Sequence, residues 1–117
     1  ENGFFAIIEE SGSYDFPFGT VTVESFENKA KVCFDSVIVD NISFPFVIRT
    51  RQLGDCIETA NGDYKDVADV FSSWHIGTSY KDKIPLVQEL ETAEQNIIAI
   101  VGSVYNFKNW IVRGFYE

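Results

Sequence analysis

The segment KDVADVFSSWHIG, from Lys65 to Gly77, contains the clearest secondary-structure signal in the chain. Four apolar residues in it fall at the i, i+3, i+4 and i+7 positions of one helical face: Val67, Val70, Phe71 and Trp74. Acidic residues suit the first turn of a helix, so the helix is predicted to start near Asp63 or Tyr64. Gly77 is a natural C-terminal stop. One principal helix is therefore expected here.

The segments before this helix have the two-residue period of strands. TVTVESFE, residues 20–27, alternates so that Val21 and Val23 share one face. AKVCFDSVIVD, residues 30–40, is predicted to continue as one strand with Val32 and Phe34 pointing inward. FFAIIEE, residues 4–10, reads as a strand, and YDFPFG, residues 14–19, as an extended edge or turn because of its proline and glycine. An antiparallel meander is expected over roughly the first forty residues.

The remaining strands flank a polar loop and the helix. The sequence predicts strands at SFPFVIRTR, KIPLVQEL, NIIAIVG and NWIVRGFYE (residues 43–51, 83–90, 96–102 and 109–117), with loops or turns at 52–64, 91–95 and 102–109. Strands, one helix and then strands define an α+β domain with a mixed or antiparallel sheet and one principal helix packed on it. Residues 1–44 are interpreted as a β-hairpin or meander lead-in and residues 45–117 as the main domain, in one compact unit.

Composition restricts the classes of function. The formal net charge of the 117 residues is −9, which disfavours non-specific binding to nucleic acid. Residues 49–83 nevertheless contain five of the nine basic residues, so a polyanion would bind there first; a solvated face of mixed charge is the alternative. The chain contains no methionine and starts at Glu1, so we expect a fragment of a longer protein. No segment has the length of a membrane span.

The candidate chemistry is sparse. Cys33, Cys56 and His75 are too few for a structural zinc site, and two thiols in a reducing cytoplasm are favoured over a disulfide. His75 is expected to cap or pack the end of the helix rather than act as a general base. Three carboxylates at a spacing of three favour a solvated helix face over a metal site: Asp63, Asp66 and Asp69. We predict no catalytic residue and no metal site.

Two arginines stand out in this acidic chain. Arg49 and Arg51 precede a Gly-Asp turn at Gly54 and Asp55, and on a strand their side chains would share a face. Arginine binds phosphate or carboxylate with two parallel hydrogen bonds. From the residues alone, pairing with an internal acid such as Asp55 or Glu58 is favoured over a ligand-binding role.

Several segments occur in the order and spacing of a known family: PFVIRTRQLGD, then Gly62 and Lys65, DVF, WHI, YKDKIPLV, IIAIVG and WIV. Over about Pro45 to Arg113 the chain resembles the C-terminal domain of bacterial tRNA(Ile)-lysidine synthetase. The resemblance implies a cytoplasmic parent ligase that uses ATP to join lysine to the wobble cytidine of an isoleucine tRNA with a CAU anticodon. ATP and Mg would bind in the parent's N-terminal domain, and this chain would hold no cofactor.

The resemblance also assigns residues. It implies that Arg49, Arg51, Lys65 and Lys81 contact tRNA, at the acceptor stem, while Gly54 and Asp55 shape the loop. Such cations would read the shape of A-form RNA through phosphates and 2′-hydroxyls. The family usually has proline at Leu53, arginine at Cys56, lysine at Asp66 and often lysine at Ala68, so a weaker grip on tRNA is expected here. The alternative is a docking module that binds a protein or the parent's other domains without touching tRNA.

Overall fold

Two β-sheets dominate the computed structural model, which describes residues 3–90 and 96–116. The first sheet has seven strands: β1 (Phe5–Ile8), β6 (Phe46–Arg49), β7 (Cys56–Glu58), β8 (Tyr64–Asp66), β9 (Leu86–Glu89), β10 (Ile97–Val101) and β11 (Asn109–Ile111). Their order is β1-β6-β9-β10-β7-β8, with β11 also paired to β10. The β7–β10 pair is parallel and the other pairs are antiparallel, so this sheet is mixed.

The second sheet has five strands: β2 (Gly12–Phe16), β3 (Gly19–Phe26), β4 (Lys29–Phe34), β5 (Val37–Ser43) and β12 (Gly114–Tyr116). They are antiparallel and lie in the order β12-β5-β4-β3-β2. The predicted meander is confirmed for β2 to β5, with Val21, Val23, Val32 and Phe34 all buried, whereas β1 pairs with β6 in the first sheet. The segment at residues 30–40 is two strands rather than one, since the chain turns at Asp35, where φ is +58°.

The central strands β6, β9 and β10 of the seven-stranded sheet are covered on both faces, which explains their largely apolar sequences. One core cluster lies between the two sheets and includes Val23 and Phe34 from the second sheet and Phe46 and Ile48 from the first. A second cluster lies around α1 (Val67–Ser73) and includes Phe71 and residues of β9 and β10. All five residues of β10 are therefore buried, as expected for a strand without a solvent-facing side.

The predicted helix is present but shorter than expected. Its apolar stripe is confirmed, because Val67, Val70 and Phe71 are buried in the second core cluster. The residues before it form β8 rather than a first helical turn, and the helix ends at Ser73 instead of running to Gly77. Gly77 precedes a second short helix, α2 (Thr78–Lys81), which was not predicted.

A Schellman motif ends α1 early. His75 lies in the left-handed region with φ of +58°, and its N–H donates to the Ser72 carbonyl at 3.1 Å. The N–H of Ile76 donates to the Phe71 carbonyl, also at 3.1 Å, and both of these side chains are buried. The exposed His75 thus ends the helix through its backbone.

The single helix on a single sheet is therefore corrected to two sheets with few helices. Two other predictions were wrong in detail. The polar loop at 52–64 contains β7, and the final segment is split into β11 and β12, which belong to different sheets. Gly114 makes this switch possible, since a Cβ there would clash with the Ile38 carbonyl oxygen. The predicted turn at 91–95 lies outside the described residues.

None of the helices within the described residues has the length and apolarity that crossing a membrane requires.

Candidate functional site

The predicted Gly-Asp turn is a tight turn of four residues, Gln52 to Asp55. The N–H of Asp55 donates to the Gln52 carbonyl at 3.3 Å, and the N–H of Gln52 donates to Asp55 Oδ2 at 2.7 Å. Gly54 has φ of +88°, which matches the third residue of a type II turn and is unfavourable for other residues. Leu53 is fully exposed at the tip. Gly54 and Asp55 therefore occupy the positions that a loop-shaping role requires.

Arg49 lies beneath this turn at the end of β6. Its Nη1 donates to Asp55 Oδ2 at 2.9 Å and its Nη2 to Asp55 Oδ1 at 2.8 Å. Its Nε donates to Gln88 Oε1 at 2.8 Å, and Nη1 also reaches the Thr50 carbonyl at 3.0 Å. The Arg49 side chain is only 3% exposed, against 10% for Asp55. The internal pairing that the residues alone favoured is thus formed.

Arg51 lies in a different environment because β6 has already ended. Its Nε donates to Asp82 Oδ1 at 3.0 Å, and the two side chains are 34% and 54% exposed. An ion pair this exposed contributes little to stability. The Arg51 guanidinium can therefore exchange Asp82 for another anionic partner. The two arginines do not present a shared strand face: one supports the turn from below and the other lies at the surface.

A cleft of about 510 Å³ separates the turn from the start of α1 and the end of α2. Its lining is Arg51, Gln52, Leu53, Gly54, Asp55, Asp66, Val67, Ala68 and Asp82. Of the predicted site residues, Arg51, Gly54 and Asp55 line it, while Arg49, Lys65 and Lys81 do not. Lys65 is exposed on β8, and Lys81 is the half-buried last residue of α2. The lining has one arginine against three aspartates, a composition that sequence order did not indicate.

The thiol of Cys56 and the carboxylate of Asp66 meet across β7 and β8, where the two residues are register partners. Cys56 Sγ lies 3.3 Å from Asp66 Oδ1. The hydrogen bond to Asp66 raises the pKa of the Cys56 thiol, and desolvation and the charges of Asp66 and Asp55 raise it further. The thiol is therefore neutral at pH 7. Cys56 and Asp66, where the resemblance implies an arginine and a lysine, are thus neighbours in space.

The three aspartates at a spacing of three, Asp63, Asp66 and Asp69, do not form a metal-binding group. Within residues 3–90 and 96–116, no three His, Cys, Asp or Glu residues are arranged to hold a metal ion. Within the same described residues, every buried polar side-chain atom has a hydrogen-bond partner.

Comparisons with known proteins agree with the resemblance. No model of a protein family matches the chain. It is 31% identical over 104 residues to the tRNA(Ile)-lysidine synthases of two strains of Treponema pallidum, covering 87% of this chain and 21% of each relative. It is 34% identical over 70 residues to that of Treponema denticola, covering 60% of this chain and 14% of the relative.

The fold has a counterpart among solved structures. The crystal structure of the TILS C-terminal domain superposes with a TM-score of 0.60 at 20% sequence identity, covering 96% of this chain and 85% of that one. The chain spans about a fifth of the length of the T. pallidum relatives. By sequence the chain is therefore related to the tRNA(Ile)-lysidine synthases, and its fold is that of the TILS C-terminal domain.

Proposed function

We propose that this chain is the accessory tRNA-binding domain of a lysidine-forming ligase, which joins lysine to the wobble cytidine of an isoleucine tRNA at the expense of ATP. The observation that carries the proposal is the similarity to tRNA(Ile)-lysidine synthases over 87% of the chain. The chemistry with ATP and Mg would belong to other parts of such a ligase. The parent's activity, its tRNA substrate and a cytoplasmic location are parts of this proposal.

Within the proposal, the basic residues divide into two roles. Arg51, Lys65 and Lys81 are the cations that meet RNA phosphates, because each is at least partly exposed. Arg49 is a positioning residue: each of its three guanidinium nitrogens donates to a protein partner, and it holds the turn that Arg51 leads into. The acids beside Arg51 reduce the local positive charge, so we expect a modest affinity that depends strongly on salt.

A gel-shift titration of the chain with isoleucine tRNA at two salt concentrations tests the proposal. We expect binding that weakens as salt rises, and an Arg51→Ala variant that binds more weakly with a shallower salt dependence. Lys31→Ala is the matched control, since it removes one positive charge from β4 in the other sheet. Absent or salt-insensitive binding, or an equal loss in the Lys31 variant, would overturn the proposal.

One observation favours the docking alternative. Phe5 and Ile7 are more than half exposed on β1, which is an edge strand of the seven-stranded sheet. Exposed apolar side chains on a sheet edge suit contact with another protein surface. A Phe5→Ser/Ile7→Ser variant that binds tRNA normally would separate this edge from the RNA-binding residues.

A further inference from the structure

Three aromatic side chains form a cluster beside the cleft. Tyr80 on α2 lies 5.4 Å, between ring centroids, from Tyr105 and 5.4 Å from Phe107. The interplanar angles are 55° and 69°, so both neighbours meet Tyr80 at tilted or edge-on angles rather than stacking on its ring. Tyr105 and Phe107 also pack against the second core cluster, whereas Tyr80 is 39% exposed. The exposed ring is thus held in place by two anchored ones.

A lysine lies over this exposed ring. The Nζ of Lys83 is 5.6 Å from the Tyr80 centroid, near the outer limit of about 6 Å for a cation–π contact. A contact this long is weak, so a flat ligand can displace the ammonium from the ring. The displaced ammonium would remain close enough to neutralise a phosphate attached to that ligand.

Tyr80 is close in the chain to two residues at the proposed RNA-binding surface. Lys81 follows Tyr80 in the chain, and the next residue, Asp82, pairs with Arg51 and lines the cleft. A fixed, exposed aromatic ring flanked by lysines is the arrangement with which proteins hold single-stranded nucleic acid: the ring stacks on a base and the cations meet the backbone. An apolar protein partner would gain nothing from the lysines.

We propose that Tyr80, with Lys83, is a stacking site for an unpaired RNA base next to the cleft. The inference rests on the proposed function, because the paired part of the same RNA would be held by Arg51, Lys65 and Lys81. It adds a second mode of recognition, which distinguishes an RNA with an unpaired end from a blunt duplex.

Two RNA hairpins with the same stem provide the test: one ends blunt, and the other has a short single-stranded 3′ extension containing 2-aminopurine. We expect the extension to tighten binding to the 117-residue chain about tenfold, as one stacked base would. The fluorescence of 2-aminopurine should fall on binding, since stacking quenches it. Tyr80→Ala should abolish the gain and the quenching while leaving the blunt hairpin's affinity unchanged.

Two variants control the test. Tyr80→Phe retains the ring and should keep both the gain and the quenching. Phe26→Ala removes an exposed aromatic ring from the five-stranded sheet and should change neither. The stacking site is overturned if the two hairpins bind with equal affinity, or if the extension still tightens binding to the Tyr80→Ala variant. If the blunt hairpin binds in a salt-dependent way in that case, the proposed function stands and only the stacking site fails. If the blunt hairpin does not bind but the extended one binds through Tyr80, stem binding fails and stacking stands. If neither binds, both proposals fail.

Discussion

The guanidinium of Arg49 donates two hydrogen bonds, of 2.8 and 2.9 Å, to the carboxylate of Asp55, beneath the turn that Asp55 closes. The same Asp55 oxygen that accepts one of them also accepts the N–H of Gln52. One carboxylate thus neutralises a buried cation and fixes the start of the turn. The backbone carbonyl of Asp55 extends this link to α1 by accepting the Val67 N–H at 2.9 Å.

Arg49 and Arg51 should therefore respond differently to mutation. Arg49→Ala leaves the largely buried Asp55 carboxylate without its cation, so we expect the free energy of unfolding to fall by about 3 kcal/mol. Arg51→Ala breaks only an exposed pair and should lower it by less than about 1 kcal/mol. Urea unfolding of both variants measures the difference. Equal losses would mean that the burial of Arg49 does not govern its contribution.

The turn can be stabilised at its tip. Proline is favoured at the second position of a type II turn, so Leu53→Pro should raise the free energy of unfolding by about 0.5–1 kcal/mol. Gly54→Ala should lower it, by about 1 kcal/mol, because φ is positive there. Thermal unfolding of the two variants checks both signs. Destabilisation by proline would exclude this turn geometry.

The end of α1 offers an independent test. His75 occupies the left-handed position of a Schellman motif, where glycine carries no steric penalty. We expect His75→Gly to stabilise the protein by about 1 kcal/mol, whereas His75→Ala should not stabilise it. Calorimetric melting temperatures provide the readout. Stabilisation by alanine as well would point to the imidazole rather than the backbone.

The environment of Cys56 predicts slow alkylation. A raised pKa means less thiolate at a given pH, so in a Cys33→Ser background iodoacetamide should react with Cys56 more slowly than with a small-molecule thiol at pH 8. Asp66→Ala removes the largest cause of the shift and should accelerate the reaction. Asp66 makes no side-chain capping hydrogen bond to α1, so the helix should survive. Unchanged rates would show that the Cys56–Asp66 contact does not control the thiol.

The same pair tests the charge argument. Cys56→Arg with Asp66→Lys introduces the cations that the family resemblance implies at these cross-strand neighbours. If the chain binds tRNA by the cleft side of β7 and β8, the double variant should bind more tightly at low salt and lose more affinity as salt rises. Filter binding at three salt concentrations measures the slope. An unchanged slope would place the RNA elsewhere.

The local features of the protein can be predicted from its sequence. The period of Val67, Val70 and Phe71 predicted a helix, the alternation at Val21 and Val23 predicted strands, and the residues from Pro45 onward indicated the family. The first two signals are local because each depends on which face of one element is buried. The position of α1's end was missed, since a histidine rather than a glycine adopts the left-handed conformation there.

The assembly of the elements and the exposure of the cations, by contrast, depend on contacts between distant parts of the chain. Two sheets are not readable from the chain, because a buried strand such as β10 looks the same whatever covers its two faces. Likewise, the sequence does not show which of Arg49 and Arg51 is buried, because it does not show that β6 ends between them. The first guanidinium is therefore buried against Asp55, and the second reaches the surface. Burial, which is set by contacts between residues distant in the chain, separates a structural cation from one that can bind a ligand.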